Sequence, residues 1–334
     1  MNSSHDRKAA IKKLKTLVYS TKQDLDVFRA NIEKAFYSPT IPNDVECNEH
    51  NYGNIRCDVL MPQVYSTERI MIYIHGGSFV GGSKKAYRSF CASIAHATSC
   101  RVVVPEFRIA PSFAFPNGIE DLQIVFRSVF TEEQIARSLD AGIGKKSDQP
   151  EVIIAADGSG ASLAMALLLN LRERYRECIS HVILLSPWLN VSSDSPLIKE
   201  KKVHDELMSG DCLRRSADVY TNETNLSNPL VSPVMASKDI LKGFPPVFIQ
   251  MGEKEILVND AKLLQRNLHE AGCECELDIW PDMIFMFQMA DEYLEEAHLA
   301  VNKIGKLITY EAEKVDEQTL TRAPVLESGL DREA

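Results

Sequence analysis

The chain has 334 residues, 45% of them apolar and 25% charged, with a formal net charge of −10. This is enough to bury a full core, as one large α/β domain or two small ones, and it excludes a chain that is disordered throughout. The acidic balance speaks against nucleic acid or an anionic membrane as partner, since both need clustered Lys and Arg, and leaves small molecules or proteins.

The eight cysteines (Cys47, Cys57, Cys91, Cys100, Cys178, Cys212, Cys273 and Cys275) are scattered, with neither zinc nor disulfide spacing. Free thiols are the expectation, together with a reducing cytoplasm and no metal or cofactor. The basic residues Arg7, Lys8, Lys12 and Lys13 are not followed by an apolar stretch of signal-peptide length, so no leader is expected. No run approaches the ~20 apolar residues of a membrane-spanning helix.

In chain order, apolar positions at helical spacing (Ile11, Leu14, Leu17, Val18, then Leu25, Phe28, Ile32) predict one or two amphipathic helices within residues 1–40. Strand-like runs at 45–50 and 55–61 flank the turn-rich Asn51-Tyr52-Gly53-Asn54, which predicts an antiparallel hairpin. The apolar run Ile70 to Ile74 then leads into His75-Gly76-Gly77-Ser78-Phe79-Val80-Gly81-Gly82. Glycines after a buried strand let backbone N–H groups approach a ligand closely, and two of them aimed at one point make an oxyanion hole.

The stretch from Glu151 to Asn170 passes from β-branched residues through small ones into an alanine and leucine helix pattern. That strand, sharp turn and helix order is a nucleophile elbow. In Ala156-Asp157-Gly158-Ser159-Gly160 the middle residue, where the G-x-S-x-G pattern places serine, is Gly158.

With the glycine loop and the elbow, four more segments carry a resemblance: Glu106-Phe107-Arg108-Ile109-Ala110-Pro111; Phe115-Pro116 with Glu120-Asp121; Leu185-Ser186-Pro187-Trp188-Leu189; and Phe244-Pro245-Pro246-Val247-Phe248-Ile249-Gln250-Met251-Gly252. Over about three quarters of its length the chain resembles the hormone-sensitive-lipase-like group of the α/β-hydrolase fold, which includes carboxylesterases, acetyl-hydrolases and lactone hydrolases. The resemblance implies a mostly parallel central sheet flanked by helices, with an α-helical cap. It also implies a hydrolase domain over 41–310, a cap made of the N-terminal helices and an insertion at about 192–228, and an acidic, loose tail at 311–334.

The same resemblance fixes where a triad belongs. The serine position is Gly158. The acid falls on Glu255, with Asp260 at a further acidic position of the motif, and the histidine position in Met283-Ile284-Phe285-Met286-Phe287-Gln288 is Phe285. His75, Gly76, Gly77 and Ser78, with the backbone of Ser159, correspond to the oxyanion loop. Ser162, a formal G-x-S-x-A match, lies one helical turn beyond the strand end and is expected on a buried helix face.

Loss of a triad member can cost about a million-fold in kcat, so losing two predicts a hydrolytically inactive protein. Three functions stay open at this point. One is a binding or regulatory protein holding a small apolar ester-like or carboxylate ligand, another is a protein-interaction subunit with a filled pocket, and a third is a carboxylic-ester hydrolase using residues not recognised. The oligomeric state is not legible.

Overall fold

A computed structural model describes residues 4–38, 40–41, 44–66, 69–140, 149–192 and 205–321. Two helices, α1 (Ser4–Leu14) and α2 (Leu25–Phe36), precede the sheet. Asp24 caps α2 by accepting from the N–H groups of Asp26 and Val27, and the helix buries Phe28, Ile32 and Phe36, the stripe that the helical spacing singles out.

Among the described residues, eight strands form one sheet in the order β1-β2-β4-β3-β5-β6-β7-β8. They are β1 (Val45–Tyr52), β2 (Ile55–Pro62), β3 (Arg69–Ile74), β4 (Arg101–Pro105), β5 (Glu151–Asp157), β6 (Ile179–Leu185), β7 (Val247–Gly252) and β8 (Cys275–Trp280). The hairpin β1–β2 and the β2–β4 pair are antiparallel, and all later pairs are parallel. Parallel strands are covered on both faces, and β3, β5, β6 and β7 accordingly read as near-continuous apolar runs.

The covering helices are α3 (Lys84–Thr98), α4 (Asn117–Asp140), α5 (Gly158–Asn170), the short α6 (Glu173–Arg176), α7 (Gly210–Tyr220), the short α8 (Lys238–Leu241), α9 (Val258–Glu270) and α10 (Glu295–Thr321). Helix α5 is buried on every side from Gly158 to Leu168, as its alanine and leucine composition requires. Helix α10 continues to Thr321, so residues 311–321 of the expected loose tail are helical. Ala, Glu, Lys, Gln and Leu are strong helix formers and outweigh the acidic bias there. Of the cap insertion, residues 193–204 fall outside the described set, with the Lys199 to Lys202 run and His204, as do residues 322–334 of the tail.

Helix α7 and the N-terminal segment are tied to each other and to the glycine loop. Arg215 on α7 lies over the Tyr19 ring at 4.0 Å and donates to the Tyr19 hydroxyl at 2.7 Å and to the Gln23 carbonyl at 2.8 Å. Ser78 Oγ accepts from Tyr19 N–H and donates to the Leu17 carbonyl, both at 3.3 Å, which ties the same segment to the glycine loop.

Candidate active site

Strand β5 ends at Asp157, and α5 begins at Gly158 with φ +47°, a left-handed conformation that costs a residue with a side chain of the order of 1–3 kcal/mol. A Cβ built on Gly158 would lie 3.3 Å from Phe285 Cζ and 3.8 Å from Cε2. The two positions that the motifs reserve for nucleophile and base therefore face each other, and neither carries a group able to attack or to take a proton.

Asp157 organises the turn. Its Oδ1 accepts from Gly76 N–H at 2.9 Å and Tyr73 hydroxyl at 3.0 Å, and its Oδ2 from Tyr87 hydroxyl at 2.9 Å. Burial pushes its carboxyl up to about 7 against those three donors. Gly76 thus spends its N–H behind the loop. Among the described residues the N–H groups of Gly77 and Ser78 meet no acceptor, and with Ser159 at the start of α5 they are the donors left for the elbow.

Ser159 points its hydroxyl away, accepting from Phe79 N–H at 3.0 Å. His75 stacks between Tyr87, at 5.2 Å between centroids, and Phe107, at 4.4 Å, and its Nδ1–H donates to the Gly76 carbonyl at 2.8 Å. Burial lowers it to about 4, so it is uncharged at neutral pH and braces the loop. Ser162 sits on the buried face of α5 with its hydroxyl on the Trp188 carbonyl.

Glu255 is fully enclosed. Its Oε1 accepts from Ser186 hydroxyl at 2.7 Å and Gly252 N–H at 2.5 Å, while its Oε2 has no hydrogen-bond partner among the described residues. Burial pushes the carboxyl up to about 8, so at neutral pH it is held uncharged. Ser186, at φ +43°, also accepts from Met286 N–H at 3.0 Å, linking the acid to the residue after Phe285. An imidazole donating to a triad acid is what an ionised carboxylate there would need. Asp260 is also buried, and burial raises its carboxyl to about 7.

Ser186 and Trp188 belong to the Leu185-Ser186-Pro187-Trp188-Leu189 segment, whose motif alone assigns neither a role. Their position at the end of β6, beside the elbow, was the available signal. Gly77, Ser78, Gly158, Ser159 and Phe285 share one cavity with Trp188, whereas His75, Gly76 and Glu255 stand outside its wall. The cavity measures about 20 Å³, and Leu17, Val18, Met208 and Leu213 complete its lining. That is room for about one water.

The family described as alpha/beta hydrolase fold matches residues 71–289, a span that contains both the glycine loop and the Phe285 turn. The chain is an α/β-hydrolase. An esterase of Acinetobacter venetianus is 29% identical over 258 residues, covering 77% of this chain and 80% of that protein. An acetyl-hydrolase of Streptomyces hygroscopicus is 28% identical over 240 residues, 72% of this chain and 75% of its own. Among solved structures, an esterase from the bacterial hormone-sensitive lipase family superposes with a TM-score of 0.78 at 24% identity, over 92% of this chain and 98% of that one. The sheet and flanking helices are those expected of the α/β-hydrolase fold. No helix among the described residues is long and apolar enough to cross a membrane.

Proposed function

We propose that this α/β-hydrolase does not hydrolyse esters and acts by binding, at surfaces other than the elbow pocket. The observation that carries the reading is the apposition of Gly158 and the Phe285 ring, with the acid behind them uncharged and half unpaired. Hydrolysis by this fold needs a hydroxyl, an imidazole and an ionised acid in register, and here only the acid and the backbone donors remain. The relatives' names speak for descent from an ester-hydrolase scaffold, not for turnover by this chain.

A cavity of about 20 Å³ supports a filled pocket over a ligand-holding one at the elbow, because small-molecule sites run to ~300–1,000 Å³. The occupants are the protein's own side chains, held by the Arg215 and Ser78 anchors. The test is turnover of p-nitrophenyl acetate and p-nitrophenyl butyrate by the purified chain, against an inert protein of equal concentration. Equal rates are expected; a saturable rate lost on treatment with an organophosphate would defeat the reading.

A further inference from the structure

We infer that residues 15–23, between α1 and α2, are a displaceable strap that keeps the elbow pocket shut, and that its release opens the pocket to a small uncharged apolar molecule. This rests on the reading that the elbow is filled by the protein's own side chains. Leu17 and Val18, 2% and 4% exposed, line the cavity together with Gly158 and Phe285, and about 20 Å³ is left between them.

The helices on either side hold on by their own apolar faces, Ala10 and Leu14 on α1 and Phe28, Ile32 and Phe36 on α2, all of them buried. The strap is held differently. Its backbone bonds from Val18 to Gln23 are local, Val18 N–H to the Lys15 carbonyl at 3.2 Å and Gln23 N–H to the Ser20 carbonyl at 3.3 Å, and among the described residues none joins it to another element. Its polar links to other elements run through two side chains. Arg215 on α7 donates to the Ser20 carbonyl, the Tyr19 hydroxyl and the Gln23 carbonyl and lies over the Tyr19 ring. Ser78 in the glycine loop donates to the Leu17 carbonyl and accepts from Tyr19 N–H. A segment with few backbone bonds, anchored through two groups, opens at lower cost than the helices beside it, because it swings between fixed ends while the sheet stays intact.

The walls choose the ligand. With Leu17 and Val18 withdrawn, Trp188, Met208, Leu213 and Phe285 remain as apolar surface, and among the described residues no ionised side chain lines the cavity. A charged molecule would give up its water there without gaining a partner, so an uncharged one is preferred. Two aliphatic side chains leave, so the molecule that enters has a similar bulk, that of a single ring with a short chain. It enters only with the strap out, and its apparent dissociation constant is therefore the intrinsic one divided by the fraction of open molecules.

Ethylbenzene and benzylamine, alike in size and differing in charge at neutral pH, are titrated by calorimetry against the full chain, against Arg215→Ala and against Ser78→Ala. Amide exchange of the peptide spanning residues 15–23 is followed in parallel by mass spectrometry. Ethylbenzene should bind each variant at least about tenfold more tightly than the wild type, since every anchor lost raises the open fraction. It should also speed exchange across residues 15–23 and leave α2 unchanged, the reverse of the protection that a ligand gives a site without a strap. Benzylamine should not bind. Ser78 has φ +58°, where serine and alanine are equally strained, so Ser78→Ala decides the matter should Arg215→Ala fail to fold. Ethylbenzene binding no tighter in the folded variants than in the wild type, binding without faster exchange of the strap, or equal binding of benzylamine would overturn the proposal. Neither probe carries an ester, so these results are separate from turnover in the p-nitrophenyl assays, which can defeat the reading of the elbow by themselves.

Discussion

Phe285 Cζ stands 3.3 Å from where a side chain on Gly158 would begin. The ring therefore fills the space directly in front of the elbow, and several consequences of that contact can be measured.

Gly158→Ala should destabilise by about 1–3 kcal/mol, because φ +47° is strained for alanine and its methyl meets the ring. Urea denaturation checks this, and a variant as stable as the wild type would show that the elbow is not held in that conformation.

Phe285→Ala should cost more, about 3–5 kcal/mol, since the ring is 5% exposed and its removal opens a cavity against Trp188, Leu213 and the elbow. The same denaturation experiment decides it. A loss under about 1 kcal/mol would mean that the ring is not packed as described.

Stability should fall as pH rises from about 6.5 to about 8. Glu255 is raised from 4.5 to about 8, and Asp157 and Asp260 from 3.8 to about 7. Above the ordinary carboxylate range the folded chain holds protons that the unfolded chain has released, so Asp157 and Asp260 lower stability with rising pH until about 7 and Glu255 until about 8, each by up to about 1.4 kcal/mol per pH unit. His75, lowered from 6.5 to about 4, acts in the opposite sense but mainly below 6.5. Glu255→Gln should flatten the slope, most of all near pH 8. An unchanged slope in that variant would assign the effect to other groups.

The elbow was legible in the sequence because its register is local: Asp157, Gly158 and Gly160 are neighbours, and Phe285 is framed by Met283, Phe287 and Gln288. The fold was legible for a similar reason, since buried parallel strands such as Ile70 to Ile74 and Val152 to Ile154 are continuous apolar runs. What escaped was long-range. Ser186 gains its role by meeting Glu255 and Met286, 69 and 100 residues away. The glycine loop suggested several backbone donors, yet Asp157, 81 residues on, takes the N–H of Gly76. The volume left at the elbow depends on how Leu17, Val18 and Leu213 settle over it, which no motif records.

The most direct measurement is adduct formation with diisopropyl fluorophosphate, followed by intact mass, in the wild type, in Gly158→Ser, and in Gly158→Ser combined with Phe285→His. The double variant restores hydroxyl and imidazole beside Glu255, whose unpaired Oε2 gains a donor, while the Gly77 and Ser78 N–H groups are already in place. The expected result is no adduct on the wild type, a slow one on the single variant, and a rate at least about a hundredfold higher on the double variant, because triad members act as a unit. An adduct on the wild type, or equal rates in the single and double variants, would contradict the account.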